Sequence, residues 1–529
     1  MIKIFRSVCG FFIVIILFSS ITISCSIHII RQLINPSQLK SISTAGKVVK
    51  VHMKDGSLFV LDSLITKESS DTINGFGFYY DKYRNMIGFN VTRKGLVNGL
   101  PFHIGLSDVA LIELNEVEGV KGKALSLALV GVPTLIITSY CLINPKACFG
   151  SCPTFYSYDG TDTSLMAEGF SSSILRAFEK EDIDMLYLAK TTGNNFHLRM
   201  KNEALETQVI RYADLLVLPR SGNERVFSTS EGEFFKSSCI KSPETCQAPE
   251  GSCLDAVLQM DNKERFSSAD PKNLAKKETI EMTFENVHGS ANGLIIGCRQ
   301  TLMTTWLFYQ SLSYLGNSAG YFAAKVESGD KFLQRKVDRV WDLLGDIEIF
   351  MKDHKGKWQK ISQVGEMGPI ASDVHLIKLP YSDDKNIRIK LQMTKGLWRI
   401  NYLALAGLEE KVEPITVKPS TVIAVKGANS HEADLLKNPD NPLITLPGDE
   451  YDIYYNLPES AENYEIFIKT RGYYIEWMRD TWIAEENLKQ AAIFFGFPRL
   501  FMKKAAGDFK KIEPSMEESF WNSKYVRKN

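Results

Sequence analysis

The stretch NIRIKLQMTKGLWRINYLA, residues 386–404, sets the reading of the whole chain. Ile387, Ile389, Leu391 and Met393 occupy alternate positions, with Asn386, Arg388, Lys390 and Gln392 between them. A period of two puts each set on its own face of an extended strand, the apolar set inward. Thr394–Lys395–Gly396 supplies a turn, and Leu397 to Ala404 returns as a second strand. Upstream, Ile347–Phe350 alternates in the same way, Lys355–Gly356–Lys357 turns, and Val374–Leu379 is extended. Residues 331–410 therefore predict a β-sandwich.

Similar signals extend to both sides. Val48–Met53, the turn Lys54–Asp55–Gly56 and Leu58–Leu61 read as a hairpin in a small β module over 46–120. Residues 148–275 predict a second sandwich-like unit with a Cys-rich loop, built on Phe155–Tyr158, Leu165–Ala167, Phe196–Met200, Thr207–Tyr212 and Leu215–Leu218. Residues 276–330 add strands and a long helix over Arg299–Ala324, where Leu302, Trp306, Tyr309 and Ser313 recur at helical spacing. Residues 411–449, rich in Pro, Asn and Asp, read as a linker. Residues 450–529 hold paired strands, a helix capped by Asp480, and a last helix opening at the capping box Ser515–Glu518. The expected class is mainly β with α additions (α+β): several domains, β-sandwich modules, a buried central helix and C-terminal helices.

The N-terminus reads as a signal peptide over 1–24, with Lys3 and Arg6 ahead of the apolar run Phe11–Phe18. Thr22–Ile23–Ser24–Cys25 resembles a bacterial lipobox, which implies cleavage before Cys25 and acylation of its sulfur. Several acyl chains hold a protein on a bilayer durably. Ser26 rather than Asp follows, and resemblance to known lipoprotein sorting patterns slightly favours the outer membrane. Residues 25–45 read as a tether. Ala124 to Ile143 carries no charge and is long enough to cross a bilayer. Pro133 interrupts it and lysines flank both ends, so a buried or membrane-surface segment over 121–147 is the expectation.

Two resemblances bear on the rest. Cys148–Phe149–Gly150–Ser151–Cys152–Pro153–Thr154–Phe155–Tyr156, with Asp159–Gly160 following, resembles a signature of uncharacterised exported bacterial proteins, and implies export and a Cys pair on a β-hairpin. Residues 338–408 are similar in pattern to galactose-binding-like jelly rolls, with Gly396–Tyr402 in the place of a late core strand. Such folds serve carbohydrate binding and protein docking alike, so the fold names no activity.

The chemistry-bearing residues give a short set of candidates. Acidic and basic residues balance at 62 each, which leaves no basic field for nucleic acid. Of nine cysteines, Cys148, Cys152, Cys239, Cys246 and Cys253 are disulfide candidates for an oxidising compartment. Copper-delivery proteins with a thioredoxin fold also carry C-x-x-x-C-P, but ahead of a helix, whereas Cys152 precedes a strand. The eight histidines are scattered, with no pair at helical metal spacing, so neither metal nor cofactor is expected. No G-x-S-x-G, phosphate loop or dinucleotide fingerprint occurs. Asp159, Asp162 and Glu168 are acidic and close in sequence; a glycosidase needs two such groups facing across a cleft. Tyr473, Tyr474, Trp477 and Trp482 form either an aromatic platform for a sugar or a core edge. The leading expectation is a non-enzymatic envelope lipoprotein that binds a glycan or protein partner or serves as a scaffold. An enzyme acting on envelope glycans and a thiol–disulfide or copper protein are the alternatives.

Overall fold

The computed structural model describes residues 28–34, 152–158 and most of 49–118 and 163–521. The architecture is α+β and mostly antiparallel sheet, with sandwich modules and C-terminal helices. Within 28–118, seven described strands form an antiparallel sheet around Val49, Val51, Leu61, Ile73, Ile104 and Ile112, and Asn90–Val91 pairs separately with Val97–Asn98. The larger sheet begins inside the stretch expected as a tether: His28–Ile34 pairs with Val109–Glu118. The Ser, Asn and Pro content of that stretch hid the apolar positions Ile29, Ile30, Leu33 and Ile34.

The main body stacks four larger sheets, with a small three-stranded sheet of Arg225–Ser228, Phe234–Ser237 and Lys411–Val412 against the middle space. The first orders Thr163–Glu168, Thr154–Tyr158, Asn195–Lys201, Glu450–Asn456 and Thr421–Lys426. The second orders Lys180–Met185, Asn463–Glu476, Glu206–Arg220 and Ile415–Val417, with Leu443–Thr445 also on Glu206–Arg220. The third orders Cys239–Lys241, Trp398–Leu408, Ala291–Gln300 and Asp373–Lys378. The fourth contains Thr245–Ala248, Lys277–Glu285, Asn386–Thr394, Ile347–Lys352 and Trp358–Val364. Phe155, Leu198, Ile210, Ile453 and Ile468 fill the space between the first pair of sheets. Leu216, Phe227, Ile295, Leu376 and Phe467 fill the middle space, and Ile280, Ile296, Ile389, Leu391 and Leu403 the last.

The two inner sheets are thus covered on both faces, which explains their sequences. Leu403 and Leu405 pack to one side of their strand while Ala404 and Ala406 pack to the other. A strand buried twice loses its alternation and becomes a continuous apolar run, as Ile400–Leu408 nearly is. Asn386–Thr394 lies in an outer sheet, and its alternation is retained.

The sandwich of the third and fourth sheets is an insertion. The first two sheets take their strands from 154–220 and from 415–476, with the other sandwich between. Residues 411–449, expected as a linker, supply Ile415–Val417, Thr421–Lys426 and Leu443–Thr445 to these sheets.

Five helices cap one end of the inserted sandwich: α1 Met303–Leu315, α2 Ala319–Glu327, α3 Lys331–Leu344, α4 Leu488–Gly496 and α5 Pro498–Trp521. The single helix expected over Arg299–Ala324 is broken at Gly316, whose φ of +49° suits glycine. Arg299 belongs to the preceding strand. α3 opens at Asp330, whose side chain accepts from the backbone N–H of Phe332 and Leu333. It turns Val337, Val340 and Leu344 inward and stops at Gly345. α4 opens at Asn487, which accepts from Gln490 N; Asp480, the expected cap, lies outside the described residues. α5 continues through Pro514, so Ser515 does not start a separate helix. No helix among the described residues is long and apolar enough to cross a membrane. The 121–147 segment, the signal peptide and Cys25 lie outside the described residues.

Candidate functional site

A cavity of about 720 Å³ opens where the edge of the first sandwich, the end of the inserted one and the helical cap converge. Its floor is made by the end of the strand Thr163–Glu168. After Glu168 the chain turns sharply, with Phe170 at φ +38°, a left-handed conformation that non-glycine residues rarely hold. Packing enforces it: Phe170 is buried, and its ring sits so close to Gly472 that a Cβ there would come within 2.8 Å. The turn sets Ser171 and Ser172 on the cavity wall. Tyr474 holds it, donating its N–H to Ser173 O (3.0 Å) and its hydroxyl to Ser171 O (3.1 Å).

Glu168 joins the two sandwiches. Its Oε2 accepts from Ile370 N (2.8 Å) and Ala371 N (3.4 Å), on a loop of the inserted unit whose Met367, Gly368 and Pro369 also line the cavity. Gly368 lies directly against the carboxyl group: a Cβ there would meet Oε2 at 2.0 Å. Gln300 N donates to Gly368 O and fixes the loop from below (3.1 Å). Burial raises the Glu168 carboxyl to about 7, although the two backbone N–H groups pull the other way. Cys152 lies on the same cavity wall as Glu168 and Tyr474. Burial, reinforced by the charges of Glu168 and Glu206, pushes the Cys152 thiol well above its ordinary value, so it is a poor nucleophile.

Behind Glu168 stands a second group of acids. Asp373 Oδ1 accepts from Met185 N (3.3 Å) and Val374 N (2.7 Å), and His375 Nε2 lies 2.7 Å from Asp373 Oδ2. Burial and then the charge of Asp373 push Asp182 up to about 7. Asp184 is buried, its Oδ2 makes no hydrogen bond, and burial drives it well above the usual carboxylate range. For His375 the attraction of Asp373 and Asp182 outweighs burial and raises its pKa. No cluster of His, Cys, Asp and Glu among the described residues has the arrangement to hold a metal ion.

The opposite wall comes from helices. α1 contributes Thr304, Thr305, Phe308 and Tyr309; α3 contributes Asp338, Trp341 and Asp342. Asp338 and Asp342 are exposed one helical turn apart, with the half-buried Trp341 beside them. Tyr309 donates its hydroxyl to Glu476 Oε1 (2.8 Å). Lys277 donates its ammonium to Leu344 O, and burial lowers its pKa. The lining mixes aromatic faces, hydroxyls, amides and carboxylates.

Three residues singled out by the sequence meet here: Cys152, Glu168 and Tyr474. Asp159, Asp162, Cys148 and Trp477 lie outside the described residues. Tyr473, Tyr474 and Trp482 are all buried, Trp482 against the Tyr309 ring at 4.8 Å. All five described cysteines are free thiols. Cys246 and Cys253 are neighbours across a tight hairpin, with sulfurs 2.7 Å apart and Cys253 N bonded to Cys246 O. Cys239 is only half-buried, and Cys298 contacts Met367 Sδ. The residues missed from sequence, Trp341, Asp338 and Asp342, lie on an amphipathic helix whose pattern marks its buried face but not its use.

No family model matches the chain, and no curated protein does. Among solved structures, a β-porphyranase of glycoside hydrolase family 86 from Bacteroides plebeius matches at 6% identity and a TM-score of 0.16, over 44% of this chain and 37% of that one. A family 31 α-xylosidase from Xanthomonas citri matches at 8% identity and a TM-score of 0.14, over 82% of this chain and 37% of that one. The chain thus spans little more than a third of either enzyme, and likeness at these TM-scores carries no argument about activity.

Proposed function

We propose that the protein is an exported, lipid-anchored component of a bacterial envelope that binds a saccharide in the cavity beneath Trp341. One observation carries this reading: a cavity of about 720 Å³ sets a half-buried tryptophan beside exposed carboxylates, threonines and glutamines. A sugar ring offers an apolar C–H face to an aromatic surface and hydroxyl pairs to planar polar side chains, which is the combination present. Trp341→Ala should weaken binding about tenfold or more, since the aromatic contact is lost with its buried area. Calorimetry against hexose, N-acetylhexosamine and uronic-acid oligosaccharides measures this; a wild-type protein that binds none of them ends the proposal. Cys25→Ala should move the protein from the membrane to the soluble fraction, and retention of lipid by that variant removes Cys25 as the anchor.

Glu168 favours hydrolysis as a second reading. A carboxyl group held near 7 is protonated often enough at neutral pH to serve as a general acid, with Glu476 as the second carboxylate on the same cavity. Release of reducing ends from a bound oligosaccharide, absent in Glu168→Gln, would separate an enzyme from a binding protein.

A further inference from the structure

The corner between α4 and α5 presents Phe497 and Leu500 to solvent at 66% and 46% exposure. Exposed apolar side chains gathered at one place on a folded surface mark a site of contact with a partner or a membrane. The rest of α5 is orderly: Phe501, Met502, Ala505, Ala506 and Phe509 fill the core beneath, and the outer face carries Arg499, Lys503 and Lys504, all exposed. The acid on that face, Asp508, is paired with Lys511 at 2.8 Å. α3 packs against α5 and adds a matching feature at its N-terminal end. There Phe332 is 67% exposed, Lys336 Nζ lies 4.4 Å from its ring centre, and Lys331 and Arg335 are exposed beside it. The acids Asp338 and Asp342 sit in the other half of α3, toward the cavity.

We infer that this corner is a docking surface for an anionic phospholipid bilayer. Whole-chain charge is zero, so the surplus of cations here is local. Phe497 and Leu500 supply what the acyl boundary takes up, and the flanking Arg499, Lys503 and Lys504 supply what phosphate headgroups attract. A helix lying along the surface, apolar at its tip and basic on its flank, suits a planar anionic interface. The contact is independent of any acyl chain on Cys25. It would hold the folded body against the membrane and fix the direction in which the cavity faces.

The test uses the full chain carrying Cys25→Ala and sedimentation with phosphatidylcholine vesicles made with and without phosphatidylglycerol. The protein should pellet with the anionic vesicles and far less with the neutral ones. Lys503→Glu with Lys504→Glu should cut anionic binding about tenfold or more. Phe497→Ser with Leu500→Ser should cut it as well, and high salt should release the wild-type protein. Salt release needs no variant, so it remains decisive should a substitution impair folding. Equal binding to both vesicle types, charge-reversed protein that binds like wild type, or binding indifferent to salt each overturns the inference.

Discussion

Between pH 4.5 and 7 the protein is expected to lose about 3 kcal/mol of folding stability through Glu168 alone. The sign follows from the direction of the shift. The folded state holds this carboxyl protonated up to about 7, whereas the unfolded chain releases its proton near the ordinary value of 4.5. Stability from such a group is complete below the unfolded pKa and is gone once pH has risen through the folded one. Asp182, raised to about 7, and Asp184, raised by burial, add in the same sense, and so does His375, whose pKa is raised by Asp373 and Asp182. Carboxylates held low by arginine or lysine, such as Glu179 and Asp270, act in the opposite sense and mainly below their ordinary range. The two regimes therefore separate along the pH axis. Urea denaturation across pH 5 to 8 should show the loss, and Glu168→Gln should remove about 3 kcal/mol of it. Parallel profiles for variant and wild type would show that Glu168 does not titrate in this window.

Gly368→Ala should destabilise the protein by about 2–4 kcal/mol and abolish saccharide binding. The new methyl would occupy the position of the Glu168 carboxyl oxygens, the nearest of them 2.0 Å away. Glu168 is buried and has little room to swing aside, so the loop must lift or the carboxyl must leave Ile370 N and Ala371 N. Either response detaches the inserted sandwich from the cavity floor. A double-mutant cycle isolates the cause: in a Glu168→Ala background the glycine substitution should cost far less. Additive costs would place the strain elsewhere.

How much of this was legible in the chain depended on which faces are buried. Asn386–Thr394 announced itself because one side faces solvent, and Trp398–Leu408 because a glycine turn precedes it. Ile415–Val417 and Leu443–Thr445 did not, since short strands among prolines and asparagines borrow their structure from the sheet they join. α3 lay unseen inside a region read as sandwich. Its Asp330 cap and Gly345 stop were both present in the sequence. Glu168 was noticed for its acidic neighbours, yet its partners are Ile370, Ala371 and Cys152. These come from segments that no local pattern associates, and its high pKa comes from burial, which only the assembled fold supplies.

The insertion of one sandwich within another also governs the order in which the molecule can form. Glu206–Arg220 pairs along its length with Asn463–Glu476, from Glu206↔Glu476 to Arg220↔Asn463. Until that partner emerges, the earlier strand has apolar side chains on both faces, Leu215 and Val217 on one and Leu216 and Leu218 on the other. Contacts so distant along the chain form slowly, because the closure entropy of the intervening loop comes first. Folding of the inserted unit shortens that loop to a compact body and brings its ends together. A chain delivered from its N-terminus therefore passes through an interval in which an unpaired, two-sided hydrophobic strand waits for its last neighbour, and in that interval it is most exposed to aggregation and most in need of a chaperone.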